Sequence, residues 1–233
     1  MHTRELEDRR AAAAYSVPEA ARYLRLPITT LRSWVAGRAY ETKGGPRYAQ
    51  PIVRLAQQVP PMLSFINLCE AHLLAAIRHE HDVSFQTLRR AVDYLRKHFK
   101  SEHPLLERPM ETDGKDLFIR HMGKLITISQ HGQTALREVF EAYLKRIERD
   151  DRGSAVRLYP FTRRELHDAP RLIVIDSTVA FGKPVIVGSN ISTSVIAERF
   201  EAGESIRELV EDYGRTPAEI EEAIRCELEL KAA

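Results

Sequence analysis

The sequence predicts a mainly α, α+β protein in three parts: an N-terminal winged helix-turn-helix, a central helical region with a small β-hairpin, and a C-terminal β-hairpin plus three-helix unit. Three observations carry this. Apolar residues recur at helical spacing over most of the chain, punctuated by serine and threonine caps and by glycines. The β-rich runs are short and few. Charge is divided by segment: residues 1–60 hold 10 Lys and Arg against 5 Asp and Glu, whereas residues 171–233 hold 7 against 12, so a net +2 conceals a basic head and an acidic tail. The expected domains are 1–60, 61–168 and 169–233.

A chain of 233 residues suffices for a sizeable core, and 43% hydrophobic with 29% charged residues is ordinary for a globular protein. Disorder, collagen and coiled coil are poor fits to this composition. No run approaches the roughly 20 apolar residues of a membrane span, and the start, Met1-His2-Thr3-Arg4-Glu5, lacks the apolar stretch of a signal peptide. The expected location is the cytoplasm, with no membrane partner. Cys69 and Cys226 stand far apart in apolar helical surroundings, which reads as two buried thiols rather than a disulfide framework.

At Ser16-Val17-Pro18-Glu19, serine and glutamate at S-x-x-E spacing open a short helix carrying Ala20, Ala21 and Leu24, because both side chains satisfy free amides at that end. Pro27 interrupts; Ile28, Leu31, Trp34 and Val35 then form a second stripe, stopped by Gly37. Aromatic residues around Gly44-Gly45, from Tyr40 to Tyr48, read as a hairpin, hence a wing. Beyond Pro60-Pro61 the chain is helical over 63–77 and 88–99. Leu117-Phe118-Ile119 and Leu125-Ile126-Thr127-Ile128, divided by Gly123, read as a short hairpin. A helix follows over 134–149, then an extended run over 156–161 and a polar linker over 162–170. In the last part Leu172-Ile173-Val174-Ile175 and Pro184-Val185-Ile186-Val187 form a hairpin. Three helices follow, separated by Gly203 and Gly214, with capping boxes from Ser205 to Glu208 and from Thr216 to Glu219. Their expected core is Val195, Ile196, Phe200, Ile206, Leu209, Val210, Tyr213, Ile220, Ala223, Ile224 and Leu228.

The second helix of the head is the candidate DNA reader. Thr29, Thr30, Arg32 and Ser33 present small polar and cationic groups suited to a major groove, while Leu31 and Trp34 face inward. Arg38, Lys43 and Arg47 extend the positive surface onto the hairpin, where phosphates or the minor groove would lie. Ser16 and Tyr48 complete the candidate set. An ordinary helical hairpin with solvated arginines has the same pattern; the local +5 favours DNA.

Tyr15-Ser16-Val17-Pro18-Glu19-Ala20-Ala21-Arg22-Tyr23-Leu24, followed by Thr30-Leu31-Arg32-Ser33-Trp34, resembles the winged helix-turn-helix of MerR-like regulators. The resemblance implies DNA-approaching roles for Thr30 and Arg32. Where that family usually has Gly-Val-Ser before the recognition helix, Arg25-Leu26-Pro27 stand here, so the cap serine is missing. A second resemblance covers about sixty residues. Ile175-Asp176, Phe181-Gly182-Lys183-Pro184-Val185-Ile186-Val187-Gly188-Ser189-Asn190-Ile191, Glu201-Ala202-Gly203-Glu204-Ser205-Ile206 and Ile220-Glu221-Glu222-Ala223-Ile224 resemble a small bacterial domain of unknown function found in antitoxins of VapBC-type pairs. The usual arginine of its G-K-P-x-I-x-G-T-R-I motif is Asn190 here. The whole layout resembles long VapB-type antitoxins, whose cognate toxin is a PIN-domain ribonuclease.

Other sites are weaker. Gly182-Lys183 has neither the upstream glycine nor the following Ser or Thr of a phosphate loop, and reads as a hairpin turn. His72 and His79 share a helix face near Glu80, His81 and Asp82, but without H-E-x-x-H spacing a solvated helix end is favoured over a metal site. Asp113, Asp116, Asp150 and Asp151 sit in turn-like contexts, and no catalytic serine or cysteine pattern occurs. The expectation is therefore a binding protein and not an enzyme, with no metal and no cofactor: a homodimeric antitoxin that binds a PIN-domain ribonuclease toxin and represses its own operon through operator DNA. The alternative is a stand-alone MerR-like regulator sensing a small molecule.

Overall fold

The computed structural model describes residues 9–42, 44–80, 83–126, 130–163 and 169–228. Strand β1 (Tyr15–Ser16) pairs antiparallel with β4 (Met62–Leu63), Tyr15 opposite Leu63. Between them lies the head. Helix α1 (Val17–Tyr23) begins at a complete capping box: the Ser16 hydroxyl accepts from the Glu19 amide and the Glu19 carboxylate accepts from the Ser16 amide. Helix α2 (Ile28–Ala36) starts at Pro27 with no side-chain cap bond, as the missing serine implies, and ends at Gly37 with φ 70°. Strands β2 (Arg38–Thr42) and β3 (Gly45–Ala49) pair as the wing, Tyr40 opposite Arg47. The amides of Ile52 and Val53 both donate to the Trp34 carbonyl, at 2.7 and 3.1 Å, returning the chain onto α2.

Four helices form the middle: α3 (Phe65–Glu80), α4 (Phe85–Phe99), α5 (Asp113–Ile126) and α6 (Gln130–Leu144). In α3, Leu68, Cys69, Ala71, Leu73, Leu74, Ala76 and Ile77 are all fully buried, as befits a helix surrounded by others. The hairpin expected over 117–128 is instead helical up to Ile126; Thr127 and Ile128 lie outside the described residues. Phe118, Ile119 and Met122 share one buried face, with Phe118 against Phe140 of α6, so tertiary burial overrides the β preference of Phe118 and Ile119. Gly123 is not a turn. A Cβ there would stand 2.7 Å from Cδ of Gln133, so the glycine permits close approach of α5 and α6.

The middle segment does hold a hairpin, later in the chain. Strands β5 (Ile147–Arg149) and β6 (Ala155–Leu158) pair across a turn in which Asp150 Oδ1 accepts from the amides of Arg152 and Ser154. The expected helix over 134–149 thus stops at Leu144, and its last residues are strand. Strands β7 (Ile173–Asp176) and β8 (Val185–Ile186) extend the sheet in the order β5-β6-β7-β8, all antiparallel, with Leu158 opposite Ile175. Helices α7 (Thr193–Glu201), α8 (Ile206–Tyr213) and α9 (Pro217–Leu228) pack on it around Ile173, Ile186, Ile196, Leu209, Ile220 and Ala223. Val195 and Phe200, expected in this core, are exposed: α7 is only nine residues long and turns one narrow stripe inward.

Cys69 and Cys226 are buried free thiols, and burial pushes the pKa of each up. His72 is buried against the rings of Tyr143 and Phe161, and its Nε2 bonds the Tyr143 carbonyl at 3.2 Å. Burial lowers its pKa to about 3, so the imidazole is neutral and part of the core. His81 and Asp82 lie outside the described residues, as do the side chains of His79 and Glu80.

Candidate nucleic-acid interface

Helix α2 divides cleanly. At 100° per residue, Leu31, Trp34 and Val35 fall on one side and are buried, while Ile28, Thr29, Arg32 and Ala36 fall on the other and are exposed. Arg32 is thus a solvent-facing cation at the centre of the candidate reading face, with Thr29 beside it. Ser33 lies at the edge, its hydroxyl donating to the Thr30 carbonyl at 2.7 Å. Thr30 is 9% exposed and sits on the flank between the two sides rather than on the open face. Ser16 is half-buried, and its hydroxyl donates to Glu19 at 2.7 Å within the cap of α1.

The wing is latched to this helix: the exposed Tyr48 hydroxyl donates to the Ala36 carbonyl at the C-terminal end of α2. Arg38 and Arg47 occupy β2 and β3, so the hairpin carries both as expected, but their side chains lie outside the described residues, as does all of Lys43.

A second set of residues, not anticipated as functional, fixes α1 to the C-terminal unit. The buried Tyr15 hydroxyl donates to the Gly182 carbonyl at 2.8 Å. Lys183 pairs with Glu19, and Arg22 pairs with the buried Glu227 at 3.0 Å. Arg25, between α1 and α2, adopts φ 53° and donates to the Thr162 carbonyl at 2.5 Å. Burial opposes ionisation of Glu19, but hydrogen bonds from Lys183 and Ser16 outweigh it and hold the carboxyl down at about 2. Two glutamates of α9 are engaged from inside: Glu222 accepts from Thr162 and pairs with Arg163 and Arg225, both at 2.5 Å, and Glu227 accepts from Thr193 at 2.5 Å. Lys183 was visible in the sequence only as turn chemistry. The buried glutamates gave no signal at all, because a helix rich in exposed glutamates does not announce which two face inward.

Residues 13–92 match a family model described as a putative DNA-binding HTH domain, and residues 173–225 match one described as a protein of unknown function, DUF433. Putative antitoxin VapB45 of Mycobacterium tuberculosis is 28% identical, over 94% of this chain and 96% of that protein. Uncharacterized protein Rv2308 of the same organism is 28% identical over 90% of this chain and 88% of its own. The crystal structure of Rv2018 from Mycobacterium tuberculosis has the same fold, with a TM-score of 0.64 at 23% identity over 91% of this chain and 98% of that one. With a helix-turn-helix domain at its head and a DUF433 domain at its tail, the chain resembles a long VapB-type antitoxin along nearly its whole length.

Proposed function

We propose that the protein is a cytoplasmic type II antitoxin that neutralises a PIN-domain ribonuclease by direct binding and, as a homodimer, represses its own operon. The observation that carries this reading is the similarity to VapB45 over almost the full length of both proteins. The exposed Thr29 and Arg32 on α2 support the DNA-binding half. One nine-residue helix spans few base pairs, and two copies on paired half-sites would multiply specificity. Arg32 and Thr29 read bases, and the wing, through Arg38, Lys43, Arg47 and Tyr48, holds the flanking backbone; Ser16 and Thr30 act in building the helix pair. The chain acts on the toxin by occupying it and performs no chemistry of its own.

The test is co-purification with the product of the adjacent gene, followed by an RNA-cleavage assay at equimolar ratio. Complex formation with loss of cleavage is the expected result. A neighbour that is no nuclease, or a nuclease unaffected by the protein, sinks the reading. Arg32→Ala weakens operator binding while leaving neutralisation intact; equal loss of both in a folded variant contradicts the division of labour.

A further inference from the structure

A cleft of about 620 Å³ runs along one flank of α2. Thr29, Thr30 and Ser33 line one wall; Arg78, at the end of α3, and Ser84 and Gln86, at the start of α4, line the other. On the helix wheel this flank runs from Thr29, at the edge of the exposed face that carries Arg32, to the buried Trp34, which also lines the cleft, and it lies away from Leu31 and Val35. A helix seated in a major groove has a sugar-phosphate strand along each flank. Here the latched wing follows α2 at its C-terminal end and the cleft follows it at its side. Resting on the DNA-binding half of the function proposed above, we infer that the cleft seats one strand of the operator backbone, with Arg78 and Gln86 as contact residues that the head alone does not supply.

Four observations support this. Arg78 is exposed and makes no ion pair among the described residues, whereas Arg22, Arg96, Arg146 and Arg149 are spent on internal partners. The first turn of α4, fifteen residues long and capped by Ser84, opens into the cleft with the positive end of its dipole. Thr30 is nine-tenths buried yet lines the cleft, beside the Ser33 hydroxyl. Finally, the DNA-binding family match does not stop at the wing: it continues to residue 92, through α3 and half of α4. The corner between α3 and α4 is therefore part of the DNA-binding unit, and phosphate is the chemistry that its cation, amides and hydroxyls fit.

The probe is a fluorescently labelled duplex of the sequence immediately upstream of the gene, titrated with full-length protein over a range of salt. Arg78→Ala, a surface change that leaves thermal stability unaltered, is expected to weaken binding about fivefold and to lower the slope of log affinity against log salt by about 1. Gln86→Ala is expected to weaken binding about twofold with the slope unchanged, as for a neutral contact. Arg32→Ala separates the two claims. If it weakens binding while Arg78→Ala changes neither affinity nor slope, the cleft is not a backbone seat and the inference falls alone. If neither variant differs from the parent, or the parent does not bind the duplex, the DNA-binding reading falls with it.

Discussion

The head and the C-terminal unit are built from the same local grammar and use their charges in opposite ways. Both are short helices opened by serine or threonine boxes: Ser16 with Glu19 in the head, Ser205 with Glu208 and Thr216 with Glu219 in the tail. The tail holds charge against protein partners, Arg199 lying against Glu204 and Asp212 and over the Tyr213 ring, and Glu222 against Arg163 and Arg225. The head spends the charges of α1 on the tail and leaves α2 with Arg32 facing solvent. Net charge by segment therefore understates the contrast. What distinguishes a surface prepared for a polyanion is not a surplus of cations but cations that the fold leaves unpaired.

The contrast is tested most strongly where the tail buries charge. Glu222 is fully buried and accepts from Thr162 while pairing with Arg163 and Arg225, so Glu222→Ala removes both ion pairs and the acceptor of the buried Thr162 hydroxyl and is expected to cost about 3 kcal/mol in urea unfolding. Glu208→Ala, which breaks an exposed capping box, is expected to cost clearly less. Equal costs would mean that the tail's charges are solvated alike and that its internal settlement is illusory.

Next in size is the contact between the two units. Gly182 has φ +76°, and a Cβ there would stand 2.6 Å from the Tyr15 hydroxyl. Gly182→Ala is expected to destabilise by about 2 kcal/mol, part backbone strain and part collision. In a Tyr15→Phe background, where the colliding oxygen is gone and the ring carbon stands at 3.4 Å, the same glycine substitution is expected to cost about half as much. An undiminished cost in that background, read by urea unfolding, would show that the head is not braced at this point.

Acid sharpens the comparison further. His72 in the middle core has its pKa lowered to about 3, so below its ordinary 6.5 the unfolded chain takes up a proton that the folded chain refuses. Stability falls as pH drops from 6.5 toward 3, by up to about 1.4 kcal/mol per pH unit, and His72→Phe flattens that slope. Glu19, held at about 2, contributes stability that is present above its ordinary 4.5 and is lost between 4.5 and 2. Glu19→Gln removes only this lower step, which belongs to the contact between head and tail. Urea titrations from pH 7 to pH 2 distinguish the two.

The head and the tail helices were legible in the sequence because caps, prolines and glycines are local signals that the fold honours. The middle was less so. Phe118 and Ile119 have β preference that their burial overrules, Phe118 against Phe140, and Gly123 resembles a turn until α6 is seen against it. Of the candidate interface, Thr29 and Arg32 followed from helical period, whereas the burial of Thr30, on the flank of α2 beside the cleft, did not. The braces were illegible for a physical reason: Glu19 with Lys183 and Arg22 with Glu227 are separated by more than 160 residues, and nothing local marks either end.

The smallest expected effect concerns the departure at Arg25, where similar heads carry glycine. The position has φ 53°, a left-handed conformation that costs a side-chain-bearing residue about 1 kcal/mol relative to glycine. The arginine offsets this cost because its guanidinium reaches the Thr162 carbonyl and so ties the turn between α1 and α2 to the segment that leads into the tail. Arg25→Gly relieves the backbone and loses the tie, and the two nearly cancel, leaving a net change within about 1 kcal/mol. Arg25→Ala loses the tie and keeps the strain, so it is expected to be about 1 kcal/mol less stable than the glycine variant. If urea unfolding ranks the two variants equal, the backbone at this turn is unstrained and the arginine needs no compensating contact. If glycine is instead more stable than the parent by well over 1 kcal/mol, the tie to Thr162 contributes nothing.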